Sequence, residues 1–174
     1  NWEVLYTGSS PNLASGSEDG DCMAAFNDSI FIGLYNVIGG QPRVLEWNGT
    51  AWVEHLTSIT NYHTVGFKLW DGKLWALTYI TPSSNNKWHV RYYDGSSWNS
   101  IDNYGGSSNI DSGQNVTWNE YNHRFGRLFV WNNDLYLLVS VYNSSLTNWT
   151  WQVWRFKAGT YDRFEKVYDS GDDS

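Results

Sequence analysis

Short apolar stretches alternate along this chain with two-residue polar turns and longer polar loops. Residues 22–26 and 29–35 flank Asn27-Asp28, residues 65–70 and 74–80 flank Asp71-Gly72, and residues 125–131 and 135–142 flank Asn132-Asn133. Strand-sized runs on either side of an Asn, Asp or Gly pair predict β-hairpins, because these residues accept the positive φ that tight hairpin turns require. Each predicted hairpin leads to another. Residues 43–47 and 52–56 flank Asn48-Gly49, residues 89–93 and 98–101 flank Asp94-Gly95, and residues 151–156 and 164–168 flank a turn containing Gly159. The aromatic before the first hairpin recurs as Phe26, Trp70 and Trp131, and the residue opening the last strand as Trp52, Trp98 and Phe164. Trp2, in the alternating tract 2–6, reads as one more copy of that last position.

Four short strands recurring every 40–50 residues have the period of propeller blades. The unit resembles the kelch-like β-propeller repeat, most closely at residues 30–35, Gly39-Gly40, residues 44–47 and Trp52; the later units lack the double glycine. The resemblance implies an all-β fold built from β-propeller blades, each of four antiparallel strands. On this reading residues 1–8 are the outer strand of a preceding blade, 21–57, 63–102 and 123–170 are blades, and 103–122 is an inserted loop. A single-domain β-sandwich with incidental repeats is the alternative. Closed propellers usually need about 4–8 blades, so the ring in this chain is expected to be incomplete. Either the chain is a piece of a longer propeller with another blade after Ser174, which is the preferred reading, or several copies complete a ring between them.

Composition narrows the partners. Aromatics make up 18% of the 174 residues, with 12 Trp and 12 Tyr, and a mix poor in Ala, Leu, Lys and Glu favours strands over helices. A formal net charge of −7 with scattered Lys and Arg leaves no basic patch for phosphates, which argues against nucleic acid and anionic membrane surfaces. No apolar run is long enough for a transmembrane helix, and no signal peptide is visible. Cys22, the single cysteine, permits no intrachain disulfide and reads as a buried structural thiol in an apolar strand.

Candidate chemistry is sparse. His63 and His123 precede the first strands of two successive units; the propeller resemblance implies that first strands line a central channel, so both could face one space. Asp19, Asp21 or Cys22 would have to complete a metal site with them, and a shared structural role is the plainer reading. Asp19-Gly20-Asp21 and residues 169–173 have carboxylates close enough for Ca²⁺, but without its full alternating ligand pattern, so solvated loop charge is preferred and no cofactor is expected. Asp111-Ser112-Gly113 with Thr117-Trp118 approaches the Asp-box turn of sialidases with two extra residues, and no nucleophile elbow, phosphate loop or zinc helix occurs.

Aromatic recognition remains. Sugars stack their C–H faces on Trp and Tyr, and Trp88, Trp118, Tyr121 and Trp149 are the aromatics expected in irregular stretches. Trp118 and Tyr121 belong to the insertion, and long loops that interrupt a regular repeat commonly carry function. Asn-x-Ser/Thr sequons stand at Asn27, Asn48, Asn115, Asn143 and Asn148, of which Asn115, Asn143 and Asn148 are expected in loops that suit a glycan. These features lead to a non-enzymatic extracellular or particle-surface propeller that binds carbohydrate or protein through loop aromatics. A scaffold module of a larger fibre, capsid or multidomain protein, and a glycosidase-like enzyme, are the alternatives.

Overall fold

A computed structural model of the chain describes residues 19–35, 44–56, 62–80, 87–100, 126–143, 148–156 and 165–170. They form β-strands joined by turns, without helices. The first antiparallel blade contains β1 (Asp19–Phe26), β2 (Ser29–Tyr35), β3 (Val44–Trp47) and β4 (Trp52–His55). The second contains β5 (Tyr62–Trp70), β6 (Lys73–Ile80), β7 (Lys87–Tyr93) and β8 (Trp98–Ser100). The third contains β9 (Gly126–Trp131), β10 (Asp134–Asn143), β11 (Asn148–Phe156) and β12 (Glu165–Asp169). Each blade is a meander in sequence order, and a single bridge from Tyr35 to His63 joins the first two at the sheet level. These sheets are compatible with propeller blades; they do not close a ring. The expected strand at 2–6, with Trp2, and the insertion at 103–122 lie outside the described residues.

The turn chemistry explains the regularity. Asn27 and Asp28 have φ of 48° and 61°, Asp71 and Gly72 of 48° and 67°, Asn132 and Asn133 of 49° and 64°. Positive φ at both central residues is the type I′ condition, whose twist matches that of the flanking strands. The outer hairpins use another device. The side-chain Oδ1 of Asn48 accepts from the Thr50 and Ala51 amides at 3.0 and 2.9 Å, and that of Asp94 accepts from the Ser96 and Ser97 amides at 2.8 Å each. Gly49 and Gly95 follow with φ of 91° and 100°, a region open to residues without Cβ.

The blades stack face to face. In β6, Leu74, Trp75, Ala76, Leu77 and Thr78 are all fully buried, so both faces of this strand are covered. Because neighbouring strand residues point to opposite faces, Leu74 packs with Phe31 and Val44 of the first blade while Trp75 and Leu77 pack with Leu135, Leu137 and Phe156 of the third. The Trp75 ring lies 5.2 Å from Trp70, 5.1 Å from Tyr92 and 5.2 Å from Phe156, tilted or edge-on in each pair. Its Nε1 donates to the Trp70 carbonyl at 3.0 Å, and Trp70 Nε1 donates across to the Asn133 carbonyl at 3.0 Å. The first interface is closed by Gly33, where an added Cβ would overlap Cys22 Sγ and stand 2.8 Å from Thr64 Cγ2. Cys22 is half-buried rather than fully buried as expected, with its Sγ 3.5 Å from the Thr64 carbonyl.

Candidate functional site

A meander gives each blade two unlike rims. The type I′ turns and the Asn48–Ala51 and Asp94–Ser97 turns all lie on one, and neighbouring blades meet there: Trp70 reaches Asn133, and a Cβ on Gly95 would stand 3.1 Å from Asn27 Nδ2. The β2–β3, β4–β5, β6–β7, β8–β9 and β10–β11 connections leave from the opposite rim.

On the turn rim the Asn48 and Asp94 side-chain oxygens are already used. Besides the two amides, the Asp94 carboxylate accepts from Ser96 Oγ at 2.8 Å, Asn99 Nδ2 at 3.1 Å and Ser97 Oγ at 3.3 Å. The Ser97 amide, then the Ser96 amide and hydroxyl, hold this carboxyl well below the usual carboxylate range. A carboxylate so occupied fastens a turn and offers little to a ligand. The motif Asp94-Gly95-Ser96-Ser97-Trp98 is therefore a structural element, as is its copy at Asn48.

The loop rim gathers the candidates. Trp88 lies in β7 as the register partner of Tyr79, and Trp149 in β11 as the register partner of Tyr142. Both were expected in irregular stretches; the ladder instead runs through them to the hairpin ends, as suits the β propensity of Trp and Tyr. Both flank connections on the loop rim, residues 81–86 and 144–147. The β8–β9 connection, residues 101–125, leaves Ser100 and re-enters at Gly126 on this same rim. Trp118 and Tyr121, which it carries, lie outside the described residues, as do Asn115 and His123.

The remaining candidates are also placed differently. Asn143 and Asn148 face each other as the last register pair of β10 and β11 rather than standing in a loop. His63 lies within β5, opposite Tyr79, and Asp19 lies within β1, opposite Tyr35. Asp21 sits at the irregularity between Gly20 and Cys22 in the same strand. Each was expected before a strand, and polar side chains at strand ends hide such ladder continuation. Asp169 ends β12, its Oδ2 accepting from Gln152 Nε2 at 2.7 Å and Lys166 Nζ at 2.8 Å. Among the described residues, no group of three or more His, Cys, Asp or Glu could hold a metal ion.

Two features were not anticipated in the sequence. Glu46 Oε2 and His55 Nε2 are 2.7 Å apart, both nearly buried, with the His55 ring stacked on Phe31 at 5.9 Å and tilted against Tyr93 at 5.4 Å. Burial, helped by the Glu46 and Asp94 carboxylates, pushes the Tyr93 phenol up. Rings on both sides make this pair part of the blade interface. Only cross-strand register reveals it, Val44 pairing with His55 and Glu46 with Val53. The second is a row of exposed aromatics, Phe129, Trp131, Trp151 and Tyr168, on the third blade. Repeat alignment was its available signal, since Trp131 is the counterpart of the buried Trp70.

No family model matches this chain, and no curated protein or solved structure matches it.

Proposed function

We propose that this chain belongs to a kelch-like propeller that binds carbohydrate, without catalysis, through aromatics on its loop rim, at an extracellular or particle surface. The observation that carries the reading is topological. The Tyr79–Trp88 and Tyr142–Trp149 register pairs and both ends of the connection bearing Trp118 and Tyr121 belong to one rim. On the opposite rim the Asn48 and Asp94 turns engage their own side-chain oxygens internally. Flat aromatic faces suit the apolar C–H face of a sugar, and neighbouring amides and hydroxyls fix its orientation. Asn115, Asn143 and Asn148 are candidate glycan positions on or between the strands of the same rim.

A glycan array probed with the full chain tests this, followed by titration of the best ligand against Trp88→Ala, Trp149→Ala and the double variant Trp118→Ala/Tyr121→Ala. Loss of about tenfold or more in affinity, the size expected for truncating an aromatic anchor, supports the assignment. Binding unchanged in all three variants contradicts the site. An array without any binder contradicts the carbohydrate reading and favours the scaffold alternative, which the exposed aromatics of the third blade also favour.

A further inference from the structure

Two of the Asn-x-Ser/Thr sequons lie in turns of the first blade, and the fold treats them oppositely. Asn48-Gly49-Thr50 forms the tip of the β3–β4 hairpin, and all three residues are exposed. Asn48 Oδ1 accepts from the Thr50 and Ala51 amides and, at 2.9 Å, from Thr50 Oγ1. Two backbone donors on one atom identify it as the oxygen, so the other terminal atom is Nδ2, a donor only. Among the described residues no hydrogen bond engages that nitrogen. The turn has no use for it. Asp94, which has no amide nitrogen, builds the same turn with its carboxylate, and the positive φ falls on Gly49 rather than on Asn48.

Space separates the two sequons as well. A Cβ on Gly49 would meet nothing within 4 Å, so the turn is open around the Asn48 amide. The counterpart turn of the second blade is occupied, since a Cβ on Gly95 would stand 3.1 Å from Asn27 Nδ2. The Asn27 nitrogen therefore lies against the neighbouring blade, and Ser29, the hydroxyl residue of its sequon, is buried. At the base of the open turn Trp47 and Trp52 are register partners, half-buried, with their rings 5.4 Å apart. They present aromatic surface beside the amide, of the kind on which the C–H face of a sugar rests.

We propose that Asn48 is an N-glycosylation site, and that the folded chain excludes a glycan from Asn27. The donor is of the lipid-linked oligosaccharide diphosphate class found in the secretory lumen. Asn48 Nδ2 bonds to the anomeric carbon of the sugar as the bond from that carbon to the diphosphate oxygen breaks. The lipid diphosphate leaves with the electron pair, and the displaced Nδ2 proton passes to a base of the transferase. Oδ1 keeps its lone pairs throughout, so the turn closes in the same way with the sugar attached. A glycan there projects from the turn rim and leaves the opposite rim clear for a ligand. The inference rests on the extracellular placement in the proposed function, and not on what the loop rim binds.

The full 174-residue chain, led into the secretory lumen of a eukaryotic cell by a leader peptide, tests it. Chain recovered from the medium is digested with peptide N-glycosidase in heavy-oxygen water, which turns each glycan-bearing Asn into labelled Asp, and is mapped by mass spectrometry. An identical sample without the glycosidase is the blank for spontaneous deamidation of the Asn-Gly pair. Glycosidase-dependent label is expected at Asn48 and not at Asn27. Asn48→Asp, which copies the Asp94 turn, and Thr50→Ala, which removes the sequon hydroxyl, keep the circular dichroism of the parent and lose one glycan in electrophoretic mobility. Thr50→Ser, which copies Ser96, retains it. Asn48 recovered without label overturns the inference, as does a folded chain labelled at Asn27. A glycan on Asn48 in a chain that binds nothing on a glycan array supports this inference while removing the loop-rim reading. Unlabelled Asn48 in a chain that does bind sugar removes this inference alone.

Discussion

Asp94 shows at the scale of one residue how the repeat is fastened. Its carboxylate receives two backbone amides and three side-chain donors within one turn. In the unfolded chain an aspartate takes up a proton near pH 4, whereas these donors keep Asp94 ionised to lower pH. The unfolded state therefore binds more protons in that window, and stability falls as pH drops below about 5. The contribution is fully present above the unfolded pKa and lost on the way down to the native one. Asn48 performs the same turn without a titrating group, so Asp94→Asn is expected to keep the fold and to flatten the acid limb of stability. Urea unfolding at neutral pH and near pH 3 measures this; equal acid sensitivity in both proteins contradicts it. The sequence marks Asp94-Gly95 as a hairpin turn but does not show which donors the carboxylate accepts from. Only the geometry of Ser96 and Ser97 distinguishes a self-satisfied turn from a site.

At the scale of the element, the hairpins were the most legible feature. Asn27-Asp28, Asp71-Gly72 and Asn132-Asn133 lie at the expected turns, and each reaches the left-handed region at both positions. Asn133, with φ of 64°, is the informative case because its carbonyl also receives the Trp70 indole from the neighbouring blade. Asn133→Val is expected to cost about 1–2 kcal/mol, the penalty of a left-handed conformation for an L-residue with a branched Cβ, while Asn133→Gly, which copies Asp71-Gly72, costs nothing. Chemical denaturation of the two variants reads the difference, and a neutral Asn133→Val contradicts the turn geometry. Strand ends were less legible. Lys87 and Asn148 begin strands, and Asn143 ends one, because backbone pairing continues through polar residues that composition assigns to loops. The aromatic candidates Trp88 and Trp149 moved from loop to strand for the same reason, although they stayed on the loop rim.

At the scale of the whole molecule, the fold class was legible and the arrangement of side chains between blades was not. Periodicity predicts units of four strands, but which residues of one unit face the next depends on register across sheets. Thus neither the Glu46–His55 pair nor the partnership of Trp70 with Asn133 could be read from spacing. The β-sandwich alternative was open for the same reason, since both folds give short alternating strands. They differ in β6. A two-layer sandwich covers one face of each sheet, whereas a middle blade between two others covers both, as Leu74 through Thr78 do here.

Thiol labelling in β6 tests this stacking most directly. Leu74→Cys and Ala76→Cys probe the face toward the first blade and Leu77→Cys the face toward the third, each in a Cys22→Ala background. Stacked blades predict that all three thiols react only as the protein unfolds, with rates that rise together with denaturant. Rapid native-state labelling of the cysteines on one face, with the other face protected, would contradict the stack and restore a one-sided sheet.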